Sequence, residues 1–65
     1  MIFLDTNILI EYLKGNKSLI EPYRIEELFI SDIVVMELYQ GAKNKSDLNF
    51  IAKEIAIFKI LRTND

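Results

Sequence analysis

The sequence predicts an α/β fold with a short parallel β-sheet. Short, continuous apolar runs such as MIFL and LFI are typical of buried parallel strands, and each is followed by small polar residues. Stretches with helical spacing of apolar residues separate these runs. Because strands that alternate with helices pair in parallel through right-handed crossovers, we expect one sheet with helices packed on it.

The first unit is a strand followed by a helix. The apolar run Met1–Leu4 predicts a strand that ends at Leu4 or Asp5. A helix from about Asn7 to Lys14 is expected next, with Thr6 or Asn7 as its N-cap and Gly15-Asn16 as its stop. The residues with helical spacing are Ile8, Leu9, Tyr12 and Leu13.

The second unit repeats this order. After a short helical turn within Lys17–Tyr23, interrupted by Pro22, the run Leu28–Ile30 predicts a second strand. Ser31 is a favourable N-cap, and Asp32 complements the helix dipole in the first turn. The apolar stripe of this helix comprises Ile33, Val34, Leu38 and Gly41 or Ala42, and Lys43–Lys45 ends the helix.

A further helix and strand complete the chain. Ser46 is the expected N-cap, and Leu48, Ile51, Ile55 and Phe58 fall on one helical face. Lys59–Arg62 predicts a third strand that continues into Thr63–Asp65. The predicted order is strand, helix, strand, helix, helix, strand.

Composition limits the chemistry that the chain can support. Its 65 residues allow one domain with a thin core, and they include neither cysteine nor histidine, so oxygen atoms must hold any metal. The net charge of −2 argues against binding nucleic acid by bulk charge. We expect a cytoplasmic protein, because the sequence contains no secretory signal and no membrane-spanning run.

Two carboxylates are the candidate site residues. Asp5 follows the first strand, and ligand crevices of parallel sheets lie at the carboxyl ends of strands; alternatively, Asp5, Thr6 and Asn7 only cap the helix. Glu37 lies close to an apolar stripe and needs a partner, unless it extends from the margin of that stripe into water.

A bound cation would remove the repulsion between these two carboxylates. At about 5 Å apart they would repel by roughly 3 kcal/mol at an effective dielectric near 20. A ligand set made only of oxygen atoms favours Mg²⁺ or Mn²⁺.

The segments MIFLDTNILIEYL and ISDIVVMELYQGA together resemble the amino-terminal half of a PIN domain, in particular the VapC-type ribonuclease toxins of toxin–antitoxin modules. The resemblance implies an incomplete three-layer fold over residues 1–65, because the Asp-containing second half of such domains has no counterpart here. It also implies that Asp5 and Glu37 bind Mg²⁺ or Mn²⁺ for hydrolysis of RNA phosphodiesters. Thr6, Asn7 and Ser31 would be supporting polar residues.

A second hypothesis is a catalytically silent half-domain that binds another copy or an antitoxin. Exposed apolar stripes on the first and last helices, together with an open sheet edge, predict a homo-oligomer. A receiver-like domain with a phosphoacceptor aspartate is disfavoured, because the first strand ends in one acidic residue rather than in a pair.

Overall fold

The computed structural model describes residues 1–62 as an α/β fold with a three-stranded parallel sheet and three α-helices, which confirms the predicted fold class. Two single 3₁₀ turns, Lys17–Leu19 and Ile25–Glu27, precede the second strand. The elements are β1 (Ile2–Phe3), α1 (Thr6–Leu13), β2 (Leu28–Ser31), α2 (Asp32–Gln40), α3 (Lys45–Ile55) and β3 (Lys59–Leu61). The predicted continuation of the third strand into Thr63–Asp65 lies outside the described residues.

The strands lie in the order β1-β2-β3, and both pairs are parallel. Right-handed crossovers that step in one direction along a sheet leave their helices on one face. Alternation along the strands therefore points Leu28 and Ile30 toward the helices, where both are fully buried. Phe3 pairs in register with Phe29 on the opposite face of the sheet, and Phe3 is 53% exposed.

One apolar core joins the sheet to the helices. Tyr12 of α1 meets Phe58 edge-on, with 5.5 Å between the ring centroids, so this contact ties α1 to the segment after α3. The buried residues are Leu4, Leu9, Tyr12, Ile20, Leu28, Ile30, Leu38, Ile51, Ile55 and Phe58.

Two predicted helix starts were wrong. Asp5, rather than Thr6 or Asn7, is the N-cap of α1, because Asp5 has extended backbone geometry and Thr6 is already helical. Asn44, rather than Ser46, caps α3, and its side chain accepts a hydrogen bond from the backbone N–H of Asp47 at 2.9 Å. Each helix begins one or two residues earlier than expected, since more than one neighbouring residue is a competent cap.

The apolar stripes are narrower than predicted. Ile33 is 55% exposed and Leu48 is 38% exposed, so α2 and α3 face the core mainly through Leu38, Ile51 and Ile55. Phe58 is buried but follows the end of α3. The exposed apolar surface therefore includes the open face of the sheet as well as the outer sides of the helices.

Within residues 1–62, no helix has the length and apolar character needed to cross a membrane.

Candidate functional site

The candidate site lies at the carboxyl edge of the sheet, where α1 and α2 both begin. Because β1 and β2 are parallel neighbours, the helices that follow them start at the same edge. Each helix is capped by a side chain from the preceding turn, and the unpaired N–H groups and dipole of a helix N-terminus favour negative charge. This edge can therefore accommodate carboxylates.

Asp5 is held as the cap of α1. Its Oδ1 atom accepts a hydrogen bond from the backbone N–H of Ile8 at 2.9 Å, and the residue is exposed. One carboxylate oxygen thus serves the helix terminus, and a carboxylate has further acceptor positions for a ligand. The structure fixes the place of Asp5 at the helix terminus.

Thr6 and Glu37 connect the two helices. The Oγ1 hydroxyl of Thr6, the first residue of α1, donates a hydrogen bond to Oε1 of Glu37 on α2. The two residues are 31 positions apart in the chain, so only the tertiary fold brings them together. Glu37 is exposed. Its carboxylate has a defined hydrogen-bond partner, Thr6, which directly follows Asp5 in the chain.

The remaining predicted site residues lie around this contact. Ser31 caps α2 as predicted, and its Oγ accepts a hydrogen bond from the backbone N–H of Val34 at 3.2 Å. Asn7 is exposed in the first turn of α1. Ser31 thereby stabilises the helix that carries Glu37, whereas nothing in the described contacts ties Asn7 to the site.

Asp5 and Glu37 border different concavities. Asp5 lines a groove of about 210 Å³ beside β1, together with Phe3 and Tyr23. Glu37 lines a groove of about 470 Å³ between α1, α2 and α3. That the two carboxylates share one crevice therefore stays a prediction.

The larger groove was not predicted from the sequence. Its residues come from three helices and their connections, so no single stretch of sequence reveals it. The small residues Gly41 and Ala42, directly after α2, are the local signal for a space between helices. The lining residues are Ile10, Leu13, Lys14, Glu37, Leu38, Gly41, Ala42, Lys43, Asp47, Phe50 and Ile51.

Comparison with known proteins identifies the family. The sequence profile of the PIN domain matches residues 2–64. The chain belongs to the PIN domain family. No curated protein and no solved structure matches it. Membership indicates nuclease activity as the general class, with RNA as the suggested substrate.

PIN domains generally depend on divalent metal ions, and the donor chemistry of this one suits such ions in part. Asp5 and Glu37 offer carboxylate oxygens, and Mg²⁺ is commonly bound through one or two carboxylates together with water. Within the described part of the chain, no group of three or more acidic side chains could hold a metal. The two carboxylates that the sequence predicted as metal ligands, Asp5 and Glu37, are fewer than such a group.

Proposed function

We propose that this PIN domain carries the metal-binding part of the active site of a VapC-type endoribonuclease, in which Mg²⁺ or Mn²⁺ supports hydrolysis of RNA phosphodiester bonds. One observation carries the proposal. The hydrogen bond from Thr6 to Glu37 joins α2 to the start of α1, where Asp5 lies. This contact supports the proposal that the two carboxylates, which come from segments distant in the chain, act on one metal ion.

Each residue has a distinct role in this proposal. Asp5 and Glu37 hold the metal, and Thr6 orients the Glu37 carboxylate through its hydroxyl. Ser31 stabilises the start of the helix that presents Glu37, and Asn7 is a neighbouring polar group. A divalent metal supplies a more acidic water and neutralises charge on the phosphate.

Metal binding is the direct test. Mn²⁺ or Mg²⁺ should raise the melting temperature of the chain in a concentration-dependent way, because a ligand that binds only the folded state stabilises it. We expect Asp5→Asn and Glu37→Gln to abolish this rise. Asn is as good a helix cap as Asp, so Asp5→Asn keeps the fold. Glu27→Gln is the matched control, because Glu27 is an exposed acid directly before the amino end of β2, opposite the carboxyl edge of the sheet.

An equal rise in the two site variants and in the control would overturn the metal site. Cleavage of a fluorogenic single-stranded RNA is the second measurement. We expect negligible turnover by the 65-residue chain, because two carboxylates leave most metal ligands to water and so fix the geometry poorly. Fast metal-dependent cleavage that Glu37→Gln abolishes would show that two acidic residues suffice.

An interaction module is a second candidate function, and the open face of the sheet favours it. Phe3 is half exposed, its ring centroid lies 6.1 Å from that of Phe29, and β1 is an edge strand of the described sheet. Exposed strand edges and apolar patches are sites of association. A second copy of the chain or an antitoxin would cover this surface.

Sedimentation velocity over a hundredfold dilution tests self-association. We expect an oligomer that Phe3→Thr dissociates, whereas Ile57→Thr, a change at an exposed residue after α3, leaves it intact. A monomer at every concentration would contradict self-association. An antitoxin would then remain as the occupant, and co-purification of wild type but not Phe3→Thr with a co-expressed antitoxin would support it.

A further inference from the structure

The groove beside β1 that Asp5 borders is lined on one side by the segment that follows α1. Most of the lining of this groove, which measures about 210 Å³, comes from β1 and the start of α1, and Leu19 and Tyr23 supply the rest. Both of these residues lie in the strap, which we define as residues 17–23. The position of the strap therefore determines the width of the groove at Asp5.

The two ends of the strap are fixed. Before it, Asn16 donates from its side-chain amide to Oε1 of Glu11 on α1 at 2.6 Å and from its backbone N–H to the Glu11 carbonyl oxygen at 3.0 Å. After it, the chain passes through the 3₁₀ turn Ile25–Glu27 into β2, where Leu28 is fully buried. The strap is thus a loop that can move outward while both of its neighbours stay in place.

Between these ends the strap has little burial. Of residues 17–23, all of which the structure describes, Ile20 alone is buried, and Leu19 and Tyr23 are 42% and 49% exposed. The 3₁₀ turn Lys17–Leu19 is three residues long, and such turns have poorer hydrogen-bond geometry than an α-helix. Segments with few buried apolar contacts open at a lower free energy than the whole fold. We therefore expect the strap to open by itself.

An ion pair ties the strap to α3. The Lys17 ammonium donates to Oε1 of Glu54 at 2.5 Å, and it lies 4.3 Å from the centroid of the buried Tyr12 ring. The Glu54 side chain is 24% exposed, so its carboxylate is more shielded from water than those of the other described ion pairs. Shielding strengthens a charge pair, and an aromatic face attracts the cation. The pair holds one end of the turn Lys17–Leu19, and the buried Ile20 follows its other end.

We propose that the Lys17–Glu54 pair is a latch that controls the width of the groove beside Asp5. While the pair is formed, Leu19 and Tyr23 narrow the groove. When the pair breaks, the strap moves outward between its fixed ends and the groove widens, while the sheet and the three α-helices remain folded. This inference rests on the proposed function for the role of Asp5, and it adds a means of regulating access to that residue.

Hydrogen exchange of backbone amides, followed by NMR at rising urea concentration, tests whether the strap opens by itself. The N–H groups of Ile20 and Tyr23 are hydrogen-bonded within the strap at 3.2 and 3.0 Å, whereas the N–H of Leu4 joins the end of β1 to the Phe29 carbonyl oxygen at 2.9 Å. We expect the strap amides to exchange faster than that of Leu4 and with little dependence on urea, because local opening exposes little surface. The same urea dependence for all three amides would overturn the proposal, because the strap would then open only when the whole chain unfolds.

Substitutions of lysine test the latch itself. Lys17→Gln should raise the exchange rate of the strap amides about threefold, as expected for loss of a partly exposed ion pair. Lys17→Arg keeps the charge and should retain the wild-type rates. Lys53→Gln removes an exposed positive charge next to Glu54 in the chain and is the matched control, for which we expect no change. Equal rates in Lys17→Gln and Lys53→Gln would show that the pair is not a latch.

The width of the groove has its own readout. Leu4 lines the groove and is buried, and the chain contains no cysteine, so Leu4→Cys places a single thiol there. Iodoacetamide should label this thiol about threefold faster when Lys17→Gln is added, because slow labelling follows the population of the open form. Adding Lys53→Gln should leave the labelling rate unchanged. If Leu4→Cys does not fold, Ile2→Cys provides a thiol at another residue of the same lining. Faster strap exchange without faster labelling would overturn the link between the strap and the groove.

Failure of this inference is distinguishable from failure of the proposed function. Lys17→Gln should leave the Mn²⁺-dependent rise in melting temperature in place, because neither Lys17 nor Glu54 is a proposed metal ligand. Asp5→Asn should abolish that rise and leave exchange of the strap amides unchanged. A normal Mn²⁺ response in a chain whose strap exchange ignores Lys17→Gln would remove only the latch.

Discussion

The junctions β1–α1 and β2–α2 have the same construction but different chemistry. In each, a polar residue after the strand accepts the backbone N–H three positions later: Asp5 from Ile8 and Ser31 from Val34. Serine, asparagine and aspartate cap helices about equally well, so folding does not require a charge at the first junction. The exposed, charged cap Asp5, which precedes Thr6 in the chain, is the feature of the first junction on which the proposed metal site depends.

The strands beneath these junctions also differ. β2 is central, and Leu28 and Ile30 are fully buried under the helices. β1 is an edge strand in the described sheet, and Phe3 is largely exposed on the face away from the helices. Strand β2 thus contributes more to the apolar core than β1 does.

The largest expected effect sharpens the contrast between the strands. Ile30→Ala should lower the free energy of unfolding by about 2–5 kcal/mol, because it leaves a cavity in the core. Phe3→Ala should cost less than about 1 kcal/mol, because the side chain is half exposed. Urea unfolding followed by circular dichroism measures both. Similar losses in the two variants would show that the first strand is as important to the core as the second.

The next largest effect distinguishes the roles of the two N-cap residues, Asp5 and Ser31. Ser31→Ala should cost about 1 kcal/mol of unfolding free energy and leave the Mn²⁺ response intact, because only the cap is lost. Asp5→Asn should keep the cap and lose the metal response. Thermal unfolding with and without Mn²⁺ measures both quantities. A Mn²⁺ response that survives in Asp5→Asn would make the first junction as purely structural as the second.

A smaller effect concerns the Thr6 hydroxyl, which joins α1 to α2 through its hydrogen bond to Glu37. Thr6→Val should weaken Mn²⁺ binding severalfold, because Glu37 loses the donor that orients it, while Thr6→Ser should retain wild-type affinity. Isothermal titration calorimetry gives the affinities. If the serine variant is impaired as much as the valine variant, the methyl group rather than the hydrogen bond matters.

The smallest effect lies in how the segment after α1 is attached to α3. Lys17 donates to Glu54 Oε1 at 2.5 Å, and this hydrogen bond raises the pKa of Lys17 above the ordinary lysine value, with a smaller contribution from Tyr12. A raised folded-state pKa stabilises the fold below the unfolded pKa, near 10.4, and this contribution is lost as the pH rises through the folded value. Between pH 8 and pH 11, the free energy of unfolding should therefore fall slightly more for the wild type than for Lys17→Gln. Identical falls would show that the pair does not contribute.

Local pattern was enough for most elements. The periodic spacing of apolar residues and the continuous apolar runs locate every strand and α-helix of the described chain to within a few residues. They do so because burial of one face of a helix or strand imposes those spacings. Two errors arise at Asp5 and Asn44, where adjacent polar residues compete as caps. A third concerns the end of α2, which is Gln40 with Gly41 as its C-cap rather than Lys43–Lys45. Ile33 and Leu48 were wrongly assigned to the core, since spacing alone does not define how wide a helical face the sheet covers.

What the sequence determined by itself is the α/β class, the parallel order of strands and helices, and the restriction of any metal to oxygen ligands. Each of these follows from local periodicity or from composition. Only the tertiary structure decided that Thr6 contacts Glu37 and that a groove opens between three helices. Those features depend on the packing of segments more than 30 positions apart, and pairing at that range leaves no periodic trace in the chain.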